Sequence, residues 1–255
     1  MLALAVALAV VIATFGIAAH RRRYDTIDSV WGLGFVVITG AGLLAAERPA
    51  PSAVITALLT AVWGLRLSWH ILLRGRSKPE DPRYQAILDR AGSRPRLRMF
   101  VRVYLAQALV MWFVSLPVQA AQLELGGPST PWFVLWVGTT LWTVGMFFEV
   151  IGDAQLRRFR ADPANAGKVL DRGLWRFTRH PNYFGDACVW WGLYLAAAHQ
   201  AVVLATVLSP LLMTWLLARG SGKPVLERHM RRTRPEYADY VERTSGFFPL
   251  PPKRR

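Results

Sequence analysis

Residues 131–160 read PWFVLWVGTTLWTVGMFFEVIGDAQLRRFR: an apolar run without a charge as far as Phe148, then two acids and three arginines within twelve positions. A helix needs about 20 mostly apolar residues to cross the hydrocarbon core. The run over 131–151 therefore predicts a crossing, and the charged end predicts a helix that leaves the bilayer into water. At about 100° per residue, Glu149, Asp153, Arg157 and Arg160 fall on one narrow face. Two acids followed by two bases suit a nucleotide, because carboxylates accept from ribose hydroxyls or a carboxamide while guanidiniums grip phosphate with two donors. A ladder of i,i+4 ion pairs where a helix enters water would look the same.

On either side of this helix, apolar runs recur at roughly 2–19, 28–46, 52–73, 102–122, 184–198 and 201–218. The reading is an all-α, polytopic integral membrane protein of seven transmembrane helices. The last two spans are separated only by His199 and Gln200, which fits a tight helical hairpin, and Gly126 to Pro131 reads as a turn between spans. The run from Leu2 to Ala19 resembles a signal-peptide core, but no basic residue precedes it and no small-x-small cleavage site leads to a soluble domain, so it reads as a first membrane helix. Orientation follows from the cations, which are retained in cytoplasmic loops. Alternate crossings put 20–27, 74–101, 152–183 and 219–255 on one side. With Arg102 at a helix mouth, these segments hold all of the 31 lysines and arginines except Arg48 and Arg66. The expected topology has the amino terminus outside and the carboxyl terminus in the cytoplasm, in the inner, cytoplasmic membrane.

Composition agrees: 53% of the 255 residues are hydrophobic and the mean hydropathy is +0.25. A net charge of +15 on a soluble module would suggest nucleic acid, but here the cations sit between apolar spans. Phosphate-bearing small molecules or anionic lipid are the expected partners, and no nucleic acid. The lone cysteine, Cys188, rules out an internal disulfide framework, and five scattered histidines give a metal centre little support. No Walker loop, GxGxxG, HExxH or GxSxG is present, so any cofactor must be held by helix ends and loops.

Other polar residues cluster beside the spans. Gly167, Lys168 and Gly173 form a loop with a cation and flexible points, and Arg179 to Asp186 reads RHPNYFGD. Pro181 fits a first helical position, which makes His180 the N-cap and, with Arg179, gives an anion site at the helix start. Asn182, Asp186 and Trp190 share a face, and an Asp carried into the bilayer is a functional candidate; plain capping and interhelical hydrogen bonds are the simpler readings. In the tail, Glu227, Arg231 and Arg234 fall on one helical face, Tyr237 and Tyr240 follow Pro235, and Phe247 to Pro251 is apolar. This suits either an amphipathic helix on the membrane or a lid over a ligand. Tyr24, Asp25 and Asp28 stand at the mouth of the second span, Arg66 lies within the third, and Glu80 to Tyr84, EDPRY, reads as a charged turn.

Taken together, YDxxDxxWG from Tyr24, WGLR from Trp63, EDPRY from Glu80, EVIGDxQ from Glu149, GLWRxxRHPNYFGD from Gly173 and the closing Tyr237, Tyr240 and Phe248-Pro249 resemble the bacterial branch of the steroid 5-alpha-reductase family. The resemblance implies one membrane domain over 1–255, with 1–125 forming a substrate cavity and 126–255 the cofactor-binding helices, loops and tail. It implies an NADPH-dependent reductase that saturates the carbon–carbon double bond of an enone lipid such as a 3-oxo-delta-4 steroid. NADPH would be held on the cytoplasmic side by Asp153, Arg157 or Arg160, Lys168, Arg179, Asn182, Tyr183 and Asp186, with Glu149, His180, Glu227, Tyr237 and Tyr240 completing the site. Relatives use a glutamate and a tyrosine to polarise the carbonyl; the nearest candidates here are Asp28 and Tyr24. Two other readings stay open: an S-adenosylmethionine-dependent membrane methyltransferase of the isoprenylcysteine or phospholipid type, which shares an RHPxYxG-like helix start, and a non-catalytic sterol- or lipid-binding membrane protein.

Overall fold

Inside a bilayer no water meets the backbone N–H and C=O groups, so an apolar run must satisfy them within itself as a helix. A computed structural model of the chain, describing residues 1–76, 78–90, 92–123, 131–198, 201–220 and 222–253, follows this rule. Among the described residues the elements are helical, and the one β feature is an isolated bridge between Thr178 and Ser245. The helices are α1 (Leu2–Arg21), α2 (Thr26–Ala45), α3 (Pro51–Gly75), α4 (Pro82–Asp89), α5 (Pro95–Val114), α6 (Leu116–Ala121), α7 (Trp132–Ala161), α8 (Pro181–Ala197), α9 (Leu208–Ala218), α10 (Lys223–Thr233) and α11 (Tyr237–Arg243).

Six stretches among the described residues are long and apolar enough to cross a membrane: α1, α2, α3, α5, α7 and Val202–Thr233. The run expected over 184–198 lies in α8, whose 17 residues rise about 26 Å, short of the roughly 30 Å core. The span expected over 102–122 starts earlier, at Pro95, and stops at Val114, since Pro117 has no N–H to continue the ladder. Within α5, Phe100–Leu105 is π-helical. The expected turn at 126–130 and the pair His199-Gln200 lie outside the described residues. The chain forms two compact units, Met1–Pro131 with Ala197–Ser209, and Trp132–Ala196 with Pro210–Arg255.

In the first unit α2 and α3 cross where Gly32 meets Gly64. A Cβ on Gly64 would come within 2.5 Å of the Gly32 carbonyl oxygen and 2.8 Å of Val36 Cγ2, so neither glycine can carry a side chain without parting the helices. In lipid, where apolar burial gives helices no net reason to associate, such close backbone contact and interhelical hydrogen bonds replace it. Ser68 Oγ accepts from the Leu33 amide at 2.8 Å, and Gln122 Nε2 donates to the Thr39 carbonyl at 2.8 Å. The Ser209 hydroxyl donates to the carbonyl of Val114, at the end of α5.

The second unit pairs α7 and α8 by the same means, repeated. Gly138, Gly145 and Gly152 recur every seventh residue on α7 and face Gly192, Gly185 and Pro181 of α8. A Cβ on Gly145 would lie 2.5 Å from the Gly185 oxygen, and one on Gly192 would lie 2.5 Å from the Trp142 nitrogen. The 30 residues of α7 rise about 45 Å, so this helix outruns the hydrocarbon core and delivers its charged end to water.

Candidate functional site

In the second unit, the tight α7–α8 seam brings Glu149 and Asp153 against the start of α8. Glu149 is 2% and Asp153 7% exposed, and a Cβ on Gly185 would lie 2.9 Å from Glu149 Cγ. Asn182 Nδ2 donates to Asp153 Oδ1 at 3.2 Å, which joins two motifs 29 residues apart. Asp186, half-buried, follows Asn182 by four residues on α8. The loop from 162 to 180 is fastened to α7 by side chains: Gln155 Oε1 accepts from the Leu174 amide at 3.0 Å, and Trp175 Nε1 donates to the Gly152 carbonyl at 3.0 Å. Gly173 permits this approach because its φ of 62° is open to glycine, and a Cβ there would strike the Gln155 carboxamide.

The tail then ties down the residues that open α8. Arg179 Nε donates to Glu227 Oε1 at 2.9 Å, Arg179 Nη1 donates to the carbonyls of Val241 and Thr244, and the Arg179 amide donates to Ser245 O at 2.9 Å. Thr178 Oγ1 donates to Phe247 O, Leu250 N donates to Phe177 O, and the Tyr240 hydroxyl donates to Trp175 O. Phe247 and Phe248 pack their rings on Phe184 at 6.3 and 6.1 Å. Residues 240–250 thus form a strap over 175–180. Tyr237, at 5.8 Å from Tyr240 ring to ring, is buried, and burial with the Glu227 charge pushes its hydroxyl up to about 12 against the pull of Arg179.

His180 shares Glu227: its Nε2 lies 3.0 Å from Glu227 Oε1, and its ring stacks on Tyr183 at 5.2 Å and 7°. Burial lowers the His180 pKa, opposed by Glu227 and aided by Arg179 and Lys223. Its Nδ1 is buried without a hydrogen-bond partner among the described residues, and so is Arg234 Nε. Arg234 was expected on a helical face with Glu227 and Arg231; instead α10 ends at Thr233 and Arg234 is extended, with φ −138° and ψ 102°. The following Pro235 is the cause, since the ring disfavours helical geometry in the preceding residue.

Of the predicted set, the second unit therefore brings together Asp153 with Asn182, Arg179 and His180 with Glu227, and Tyr183 with His180, and it places Tyr237 and Tyr240 beside them. Arg157, Arg160 and Lys168 are exposed, so the predicted α7 stripe divides into two buried acids and two exposed bases. Sequence reading left out of the site a cavity of about 360 Å³, lined by Gln155, Arg158, Phe159, Asp162, Asn165, Leu170, Arg172 and Gly173. Its size is at the lower end of the usual range for ligand sites. Arg172 lies 5.8 Å over the Phe159 ring. The signal is present in the sequence, where positions 157, 158, 160, 168, 172, 176 and 179 are all basic, but Arg158 lies off the helical face that Glu149, Asp153, Arg157 and Arg160 share. The guanidiniums of Arg158 and Arg172 and the carboxamides of Gln155 and Asn165 are a donor set that fits a phosphorylated nucleotide.

In the first unit, the predicted carbonyl-polarising residues have different partners. Asp28 Oδ1 accepts from the Tyr84 hydroxyl at 2.6 Å, with Arg83 3.8 Å from Oδ2. The Tyr24 ring packs on Phe15, and its carbonyl accepts from the Tyr104 hydroxyl at 2.8 Å. The Tyr24 amide donates to Glu80, the Asp81 amide to Asp25, and Tyr84 to Asp28, each across the same 56 residues, so YDTID and EDPRY lie side by side in register. The charged turn foreseen at EDPRY exists as well, in the Arg83–Asp81 pair at 2.9 Å. Burial and the neighbouring Asp28 raise the Tyr84 pKa, which keeps its hydroxyl a proton donor.

Fold and site define a helical membrane protein whose second unit carries a polar site built from loops and a folded-back tail. The family model for "Protein of unknown function (DUF1295)" matches residues 14–244, and the chain belongs to this steroid 5-alpha-reductase-like family. It is similar to an uncharacterised protein of Schizosaccharomyces pombe, 22% identical over 270 residues, which takes in 92% of the chain and 75% of that protein. It is also similar to 3-oxo-5-alpha-steroid 4-dehydrogenase 1 of Mus musculus, 36% identical over 69 residues and 27% of each chain, and to that of Rattus norvegicus, 35% identical over 78 residues and 30% of each. No solved structure matches.

Proposed function

We propose that the chain is an NADPH-dependent membrane reductase that saturates the carbon–carbon double bond of an enone lipid, of which a 3-oxo-delta-4 steroid is the type. The observation that carries the reading is the joining of Asp153 to Asn182 beside the Arg179–Glu227–His180 network, three motifs far apart in sequence assembled at one end of the second unit. The partial similarity to the two steroid dehydrogenases supports the same class. On this reading Asp153, Asn182 and Asp186 accept from and donate to the polar groups of the nucleotide, while Arg157, Arg160, Lys168, Arg158 and Arg172 supply phosphate partners. Glu149, Arg179, His180, Tyr183, Glu227, Tyr237 and Tyr240 hold the loop and the strap around it. When bound, the cofactor supplies a hydride for the beta carbon of the enone. Negative charge then grows on the carbonyl oxygen, and a donor must meet it. Asp28 and Tyr24 are the proposed residues, and the Tyr84 hydroxyl, which donates to Asp28, holds that carboxyl in place. The reading keeps seven crossings, α8 being the sixth, with the amino terminus outside and the carboxyl terminus and cofactor residues on the cytoplasmic face of the inner membrane.

Ligand that binds the native state alone raises its stability. The protein in detergent should therefore melt higher with NADPH, and less so with NADH. Asn182→Ala should weaken NADPH binding about tenfold, the size of one lost hydrogen bond, while leaving the protein folded. Stabilisation by S-adenosylmethionine and not by NADPH would instead favour a methyltransferase, and stabilisation by an enone lipid alone a binding protein.

A further inference from the structure

In the first unit, Arg90, Arg94, Arg98 and Arg102 recur at every fourth residue where the chain turns into α5, with Arg96 between them; all five are exposed. A four-residue step stays near one face in an α-helix and in the π-helical turn that begins at Phe100, so Arg98 and Arg102 form a stripe along the mouth of this span, and Arg94 stands at its head as the N-cap. Beside it, also four apart, run Leu97 and Val101, 51% and 47% exposed, while Met99 and Tyr104 are wholly buried. Arg98 Nη1 donates to the Arg90 carbonyl at 2.6 Å, which folds the preceding turn onto the stripe. No acidic residue occurs between Arg90 and Leu123, and Asp89 is engaged by Gln85 at 2.9 Å. Phe15 of α1 packs on Phe100 and Tyr104 at 5.1 Å each, which places the exposed Arg21 and Arg22 that end α1 toward the same end of the unit.

We propose that this stripe is a headgroup site for an anionic phospholipid: Arg94, Arg98 and Arg102 take the phosphodiester, and Leu97 and Val101 lie along the acyl chain. The choice of cation supports phosphate. All five are arginines, whose planar fork pairs two donors with one phosphate, where lysine offers a point charge. The adjoining apolar edge supports lipid over a soluble anion, since a free phosphate has nothing to place there. Basic clusters immediately beside a span draw anionic lipid through both the local field and direct pairing. The site does not depend on the reductase reading.

The test titrates the full chain, in phosphatidylcholine-containing micelles, with phosphatidylglycerol, and in parallel with inorganic phosphate and glycerol 3-phosphate, and follows the melting temperature. Phosphatidylglycerol should raise it saturably, by several degrees, and the two soluble anions at equal concentration should not. Arg94→Gln/Arg98→Gln/Arg102→Gln together should raise the half-saturating phosphatidylglycerol at least about tenfold, whereas Arg48→Gln should leave it unchanged. If the triple variant does not fold, Arg94→Gln and Arg102→Gln singly should each raise it about threefold. An unchanged half-saturation in these variants, an equal response to additional phosphatidylcholine, or an equal response to inorganic phosphate would overturn the proposal.

Discussion

Glu227 serves two buried donors at once, the Arg179 guanidinium through Nε and the His180 imidazole through Nε2, both on the same carboxylate oxygen. Replacing it with Gln removes a charge-assisted bond from Arg179 but leaves that guanidinium its carbonyl acceptors, so the loss should be about 1.5–3 kcal/mol in chemical unfolding. A variant as stable as the parent would show the pair to be idle. His180 adds a pH dependence. Its folded pKa lies below the ordinary value of about 6.5, so the unfolded chain takes up its proton first. The stability it contributes is complete above that pH and is lost as pH falls through the folded value. Melting temperature should drop on acidification below about pH 6.5, and His180→Gln should flatten that limb; identical limbs would remove His180 as the cause. Arg179, His180 and Glu227 could each be picked from the sequence as polar residues beside a span. Their mutual pairing could not, because 48 residues separate Arg179 from Glu227 and no periodicity spans such a gap. Tyr84 was hidden similarly: EDPRY reads as a turn closed on itself, and only its register with YDTID shows Asp28 as the tyrosine's partner. Arg234 is the opposite case, since Pro235 stood in the sequence and announced the end of the helix.

Among the elements, α7 and α8 depend on what their glycines lack. Gly145→Leu forces a side chain into the Gly185 backbone and should make the detergent-solubilised protein aggregate on size exclusion where the parent is expected to elute as one symmetrical peak. Gly40→Ala is the contrast, because a Cβ there meets nothing within 4 Å; removing a flexible glycine from mid-helix should be neutral or stabilise by up to about 1 kcal/mol. A clean peak from the first or a lost peak from the second would contradict the seam. The positions of helices were legible from apolar runs, because the bilayer allows such runs no other structure. Their ends were less so. α3 and α7 continue beyond the predicted crossings, since neither backbone hydrogen bonding nor charged side chains require a helix to stop where lipid does. The seven-residue spacing of Gly138, Gly145 and Gly152 was equally visible, but hydrophobicity ranks glycine as merely neutral and so conceals which face of the span it marks.

Across the whole chain, the distribution of arginine makes a claim about sidedness that the helices alone do not. In a Cys188→Ser background, a cysteine at Arg48 should react with an impermeant maleimide added outside intact cells, and one at Arg94 only after permeabilisation; the reverse pattern, or equal labelling, would reject the proposed orientation. The sequence resemblance and the family match over 14–244 reach the same family, while the steroid enzymes align over less than a third of their length. The family could thus be read from short motifs, and the substrate could not, since apolar contacts distinguish lipids only weakly.

The strap over 175–180 has a consequence for biosynthesis. Residues 241–250 are translated some sixty positions after Thr178 and Arg179, whose hydrogen bonds they receive. Until they leave the ribosome, the loop that opens α8 waits with a buried-type arginine exposed and unmet. Nascent chains arrested in that interval should be the ones that membrane proteases recognise, and the emergence of residues 240–250 is what hides the arginine from them.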